Sequence, residues 1–261
     1  MTTPILLLGA GRMGGALIAG WAKAGAFAAA DLIIRDPNAD PTAFPGATVN
    51  PPLEALAVAK TVLLAVKPQI WREAVADVVP HLAPDAVIVS IAAGVRAADI
   101  SEAFGGRAVA RVMPTTAVAI GLGTASIVAD TIEARARAHA LLDPVAATVD
   151  LEDEALMHAA TAVSGSAPAY LYAFIEALEA AGVGQGLDPA DSARLARATI
   201  VGAAALLGQG GEEPAELRRQ VTSPGGTTAA ALSVLMGEGG FGDLLPRALE
   251  AAVKRSVELG G

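Results

Sequence analysis

The stretch Ile5-Leu6-Leu7-Leu8-Gly9-Ala10-Gly11-Arg12-Met13-Gly14 decides how the rest of the chain is read. Four consecutive apolar residues make a short strand buried on both faces. A GxGxxG glycine spacing follows, and residues 13–24 continue with helical periodicity. Gly9 permits a tight turn, Gly11 lets the backbone approach a pyrophosphate, and Gly14 lets the helix lie close to the sheet. The helix start then presents free N–H groups to phosphate oxygens. The same spacing also describes a helix start with packing glycines. Its place at the first turn of a strand–helix series makes Gly9, Ala10, Gly11, Arg12, Met13 and Gly14 a candidate dinucleotide site.

The surrounding chain supplies that series. Strands are expected at 31–34, 61–66, 86–91 and 108–113, with helices at 53–59, 70–81 and 97–104 between them. Further strands are expected at 126–128 and 148–149 around a helix at 132–142. Apolar strands separated by helices imply an α/β fold, a doubly wound and mainly parallel sheet of Rossmann type. From Leu151 the pattern turns to Ala/Leu/Glu helical spacing, with helices at 153–163, 168–181, 189–207, 214–221, 227–236 and 241–258. Asp188-Pro189 reads as a helix start, and Gly210-Gly211 and Gly239-Gly240 as stops. The expected division is a dinucleotide-binding domain at 1–152 and an all-α domain at 153–261, with the change near 150–163.

Composition narrows the classes. Hydrophobic residues are 53% of the 261 and charged ones 17%, the reverse of a disordered chain. Net charge is -9, which argues against nucleic acid and anionic membrane as partners and leaves a small-molecule substrate. Cysteine is absent, which excludes disulfides, Cys-ligated metal and a thiol nucleophile; a reducing cytoplasm is the expected compartment. His81, His139 and His158 stand far apart, so no two-histidine metal motif is present. The N-terminus lacks the positive region of a signal peptide. Long uncharged stretches at 112–129 and 155–175 are interrupted by Pro, Gly and Thr and read as buried protein segments.

Ligands of such sheets lie beyond the carboxyl ends of the strands. The second strand ends in Arg35-Asp36-Pro37. An arginine there can hold the 2′-phosphate of NADPH and an aspartate the 2′-hydroxyl of NADH. The reading leans to NADPH through Arg35, with NADH open through Asp36. Val66, Lys67 and Pro68 close the next strand and Ala92-Ala93-Gly94 the one after, so both turns should flank the nicotinamide.

The most unusual segment is Val221-Thr222-Ser223-Pro224-Gly225-Gly226-Thr227-Thr228-Ala229-Ala230-Ala231-Leu232. Pro224-Gly225 is turn chemistry, and two glycine amides with two threonine hydroxyls crowd a helix start. That combination suits a carboxylate. It also describes an ordinary threonine-capped helix after a linker. Ser164-Gly165-Ser166-Ala167-Pro168-Ala169-Tyr170 opens another helix and reads as close helix packing.

With these segments the chain resembles the pyrroline-5-carboxylate reductase family over nearly its whole length. The most specific match is the 221–232 segment. The 164–170 segment matches with Ala167 where the family usually has Gly. Ala65-Val66-Lys67-Pro68-Gln69 and Ala92-Ala93-Gly94-Val95 match as well. Arg111-Val112-Met113-Pro114-Thr115-Thr116-Ala117 keeps Met113 and Pro114 but departs from Met-Pro-Asn-Thr-Pro, and Arg12 replaces a usual Asn or Gln. The resemblance implies hydride transfer from NAD(P)H to a cyclic imino acid, giving proline. It implies Thr228 at the ring nitrogen, with Ser223, Gly225, Gly226 and Thr227 on the carboxylate and Glu154 on the substrate side. It further implies Ala93, Met113 and Pro114 along the cofactor, and a homodimer through the helical domain, extending in some members to a ring of dimers. Three rivals stand beside this reading. One is an imine reductase for another cyclic substrate, and another a non-catalytic cofactor-binding regulator. The third is a β-hydroxyacid dehydrogenase, whose second-domain lysine has no counterpart between Leu151 and Val253.

Overall fold

The computed structural model describes residues 2–260. It divides into two compact units: residues up to Gly165 together with those from Val253 onward, and Ser166–Ala252. The described residues of the first unit hold eight strands. They are β1 (Ile5–Leu8), β2 (Leu32–Arg35), β3 (Thr48–Val49), β4 (Thr61–Leu64), β5 (Val87–Ser90), β6 (Val109–Pro114), β7 (Gly123–Ala129) and β8 (Ala146–Asp150). Their order in the sheet is β3-β2-β1-β4-β5-β6-β7-β8. All neighbours are parallel except β6 and β7, which run antiparallel. The doubly wound, mainly parallel sheet expected from the sequence is therefore present.

The period of two along a strand builds two cores, one on each face. Ile5 and Leu7 join Leu17 and Trp21 of α1 (Arg12–Ala24) and Ala134, Ala138, Leu141 and Leu142 of α4 (Ile132–Leu142). Leu6 and Leu8 join Trp71 and Val75 of α2 (Trp71–Ala76) and Ile100 of α3 (Ala97–Ala103). Every residue of β1 is buried, which is why the strand reads as a continuous apolar run. Trp21 lies in the first core with its indole N–H donating to the Leu141 carbonyl at 2.7 Å.

Several elements differ from expectation. The helix expected at 70–81 ends at Ala76 and resumes as a 3-10 turn, Val79–His81. The cause is Pro80, which has no N–H and whose ring would clash with the carbonyl four residues earlier. Residues Leu53–Val58 form 3-10 rather than α-helix. The expected helix at 153–163 is instead α5 (Leu156–Ala160) followed by a π-helical turn, Thr161–Gly165. Asp153 accepts the Ala155 N–H at 2.8 Å and delays the helix start. The hydroxyls of Thr161 and Ser164 donate to the carbonyls four residues back and loosen its end.

The second unit is helical: α6 (Ala167–Gly184), α7 (Pro189–Gly208), α8 (Pro214–Gln220), α9 (Thr227–Leu235) and the first half of α10 (Phe241–Gly260). Asp188 caps α7 by accepting the Ala190 N–H at 2.9 Å, as its sequence predicts. Helices α6 and α7 approach closely where Gly182 faces Ser192, whose hydroxyl donates to the Glu179 carbonyl at 2.8 Å. Among the described residues no helix is long and apolar enough to cross a membrane.

Two predictions follow from the packing of the first unit. A Cβ on Gly20 would stand 2.2 Å from the Val118 carbonyl oxygen, whereas one on Gly15 of the same helix meets only Ala10 O at 3.5 Å. Gly20→Ala should lose ~1–3 kcal/mol by overpacking, and Gly15→Ala should gain ~0.5–1 kcal/mol from helix propensity; urea unfolding of the two variants checks both signs. The second concerns His139, whose ring nitrogens lie 2.9 Å from Asp143 and 3.2 Å from Asp150. The Asp143 hydrogen bond, reinforced by Asp150, raises the imidazole above its ordinary value. Its stabilisation is then complete below about pH 6.5 and lost as pH rises through the raised value. Wild type should lose more stability between pH 6 and 8.5 than His139→Gln, read as the shift in thermal midpoint.

Candidate active site

The carboxyl ends of the central strands finish level with one another. Arg35 pairs with Leu8, Leu8 with Leu64, Leu64 with Ser90 and Ser90 with Arg111. Beyond this row, Gly9 N–H donates to Arg35 O at 3.0 Å, Ala65 N–H to Leu8 O at 2.8 Å and Ile91 N–H to Leu64 O at 3.0 Å. The candidate cofactor segments thus begin side by side along one edge. Sheet order reverses between β1 and β4, and that switch point opens the crevice.

The glycine loop fits its expected task. Gly9 has φ of +93°, and a Cβ there would stand 2.9 Å from Ala65 O. A Cβ on Gly14 would stand 2.2 Å from Gly9 O, so α1 rests directly on the loop backbone. A Cβ on Gly11 would meet nothing, which leaves that side of the loop open to a ligand. Gly11 provides no side-chain cap and the first turn of α1 carries no acid. The first intrahelical bond is Gly15 N–H to Gly11 O at 2.8 Å, so the N–H groups of Arg12, Met13 and Gly14 precede it. The residues present therefore suit a pyrophosphate. Arg12, Lys67 and Ala93 are exposed, while Ala10, Met13, Val66 and Pro68 are half-buried along the same edge.

At the end of β2, where the sequence reading leans to Arg35 over Asp36, the two side chains have different partners. The Arg35 guanidinium is 2.7 Å from Asp77, in an ion pair across the α2 terminus. Asp36 instead accepts the Ala10 N–H at 2.8 Å and the Asn38 N–H at 2.8 Å. Asn50 holds its backbone from both sides, accepting from Asp36 N–H at 3.0 Å and donating to Asp36 O at 2.8 Å. Asn50 has φ of +48°, a conformation that asparagine tolerates better than most residues. Sequence reasoning missed Asn50, whose partner Asp36 lies 14 positions away.

At the end of β6, Met113 is half-buried and Pro114 buried. Thr115 is buried too, and its Oγ1 accepts the Thr124 N–H at 3.0 Å, so its hydroxyl holds the β6–β7 connection. Glu154 lies in this first unit. Its Oε1 accepts from Ala97 N–H at 2.9 Å and from Arg111 Nη1 at 2.8 Å. Arg111 is 4% exposed, and its Nε has no hydrogen-bond partner. The structure thus gives Glu154 a charge-pairing and helix-capping position. Arg111 is a second residue that spacing could not flag, because its partner is 43 positions away.

Ser223, Gly225, Gly226, Thr227 and Thr228 come together in the second unit. Gly226 N–H donates to Ser223 O at 3.0 Å, with Pro224 and Gly225 (φ +69°) as the central pair of a type II turn. A Cβ on Gly226 would strike the Ser223 hydroxyl at 2.4 Å. Gly226 is the N-cap of α9, offers no side-chain cap, and no acid stands in the first turn. The first intrahelical bond is Ala230 N–H to Gly226 O at 3.2 Å, so the N–H groups of Thr227, Thr228 and Ala229 precede it. Thr227 is exposed and Thr228 half-buried.

A glycine elbow at the switch point of a doubly wound sheet, joined to a helical unit with an amide-rich turn, defines a Rossmann-type oxidoreductase. A family model described as pyrroline-5-carboxylate reductase dimerisation matches residues 154–259. A second, described as NADP oxidoreductase coenzyme F420-dependent, matches residues 4–94. The chain is 40% identical to a pyrroline-5-carboxylate reductase of Pseudomonas aeruginosa over 99% of this chain and 98% of that protein. Its fold superposes on a Coxiella burnetii pyrroline-5-carboxylate reductase with a TM-score of 0.92, at 27% identity and full coverage of both chains. A Plasmodium falciparum pyrroline carboxylate reductase solved with NADP bound gives 0.83, at 28% identity over 99% of this chain and 98% of that one. The chain belongs to the pyrroline-5-carboxylate reductase family.

The Arg111–Glu154 pair yields a test. Glu154→Ala should leave a buried guanidinium without its counter-charge and cost ~3 kcal/mol, read as a lower unfolding midpoint in denaturant. An unchanged midpoint with a raised substrate KM would assign Glu154 to the ligand instead.

Proposed function

We propose that the protein reduces 1-pyrroline-5-carboxylate to L-proline with NADPH or NADH as donor. The observation that carries this reading is the Ser223–Thr228 elbow, where a type II turn delivers uncapped N–H groups and two hydroxyls to one place. A carboxylate gains from both the N–H groups and the positive end of the helix dipole. Held there through Ser223, Gly225, Gly226 and Thr227, the substrate ring would lie with its nitrogen toward Thr228. A dinucleotide bound at the glycine loop would supply hydride to the C=N carbon. Protonated from solvent, the ring nitrogen would donate its N–H to the Thr228 hydroxyl, which favours the electrophilic iminium; hydride addition at carbon then leaves the neutral ring amine. No strong base is needed. Most of the acceleration comes from holding two reactants in place and from fixed dipoles.

In this reading Gly9 to Gly14, Val66, Lys67, Pro68, Ala93, Met113 and Pro114 line the cofactor. By role, residues 1–152 would serve the dinucleotide and 153–261 the substrate and dimerisation, a division that differs from the compact units at 153–165 and from Val253 onward. Homodimerisation through the helices is supported by exposure: among the described residues of Ser166–Ala252 only Ser192 and Ala196 are buried. Val201 is 70% exposed and Val234 74%. Apolar surface on that scale needs a partner. A cytoplasmic location belongs to the same proposal, as does assembly of dimers into a ring.

Thr228→Ala should fold normally, with an unchanged circular dichroism spectrum and unfolding midpoint. Its kcat for pyrroline-5-carboxylate should fall about 100-fold, the scale of losing one preorganised hydrogen-bonding group at the reacting centre. Wild-type turnover in that variant would remove Thr228 from the reaction, and absence of turnover in the wild type would remove the function.

A further inference from the structure

We infer that Asp36 selects the coenzyme, favouring NADH over NADPH; this rests on the dinucleotide reading of the glycine loop. Two neighbouring residues of opposite charge end β2, and their partners separate them. Arg35 spends its charge on Asp77, 2.7 Å away. Asp36 bends back over the loop, with Oδ2 on the Ala10 N–H and Oδ1 on the Asn38 N–H, both at 2.8 Å. Its backbone is fixed as firmly. Asn50 contacts Asp36 N–H and C=O, and Asn50 N–H donates to Ile34 O at 2.8 Å, which ties the clamp to the strand.

The carboxylate therefore sits where the strand end meets the glycine loop, the place at which an adenosine ribose crosses the sheet edge. Each oxygen has one backbone donor and room in its lone pairs for another, so a ribose 2′-hydroxyl can donate to it. A 2′-phosphate carries two negative charges and no donor at neutral pH. Placed against Asp36 it meets like charge, and the nearest basic side chain in sequence is already paired. NADPH still enters, because the pyrophosphate and nicotinamide subsites are common to both coenzymes, but it enters at a disadvantage.

The test measures binding without turnover. ADP-ribose and 2′-phospho-ADP-ribose are titrated calorimetrically into the full-length protein, into Asp36→Ser, into the isosteric Asp36→Asn and into Arg35→Ala. Wild type should bind ADP-ribose at least tenfold more tightly. Asp36→Ser or Asp36→Asn should close or reverse that ratio, and Arg35→Ala should leave it within about twofold. The kcat/KM ratio for NADH and NADPH should move in parallel. Equal or tighter binding of the phosphorylated fragment by wild type overturns the inference. So does a ratio that follows Arg35→Ala and ignores both Asp36 variants. Failure of both fragments to bind overturns the dinucleotide reading beneath it.

Discussion

The contact between Gly14 and Gly9 is the constraint on which the rest of the first unit depends. With 2.2 Å between a hypothetical Cβ and the Gly9 carbonyl oxygen, only glycine lets the first turn of α1 sit on the loop that leaves β1. Gly9 is itself pressed against Ala65 and bonded to Arg35. The helix start, the end of β2 and the end of β4 are thereby locked around one short turn. A side chain at Gly14 would lift the helix, and its N–H groups would leave the level of the strand ends. The level row from Arg35 to Arg111 then extends the same edge to β5 and β6.

The architecture was legible where burial is complete. The strand Ile5–Leu8 is covered on both faces and carries no polar side chain, and Thr61–Leu64 carries one, Thr61, whose hydroxyl donates to Thr2 O. Elements governed by local competition were harder. Pro80 cut a helix that periodicity alone would extend, and Thr161 and Ser164 turned an α-helical pattern into a π-turn by bonding back to the chain. The two-residue strand Thr48–Val49 has no pattern of its own and exists because β2 offers it an edge. In the site, the glycines could be read because their role is backbone geometry. The lean to Arg35 over Asp36 was made without their partners Asp77 and Asn50, which are distant in sequence. Glu154 stood out only through resemblance, and its partner Arg111 did not stand out at all.

The helical unit has a different logic. Its core is thin, and contacts such as Gly182 with Ser192 hold pairs of helices together without enclosing an interior. Large apolar side chains remain exposed along α6, α7, α9 and α10. That explains the sparse aromatics and abundant alanine of the sequence: small residues let helices approach one another while leaving long apolar faces available.

A chain of net charge -9 has a general difficulty with anions, and the placement of its acids meets it. Acidic residues occupy the first turn of α2, α3, α4, α7, α8 and α10, where they favour the helix dipole. Helices α1, α5, α6 and α9 have none there, and of these α1 and α9 start from a glycine N-cap. An acid in those first turns would satisfy the free N–H groups internally and repel an incoming phosphate or carboxylate. Both helices are instead preceded by glycine, which caps without a side chain and leaves the amides unclaimed. Stability is forgone at these two helix starts, and the dipoles left open there do the work that lysine and arginine would do in a basic protein. Asp36 belongs to the same arrangement from the opposite side. Its charge is spent on the Ala10 amide just before α1, leaving the amides of the helix itself for the ligand.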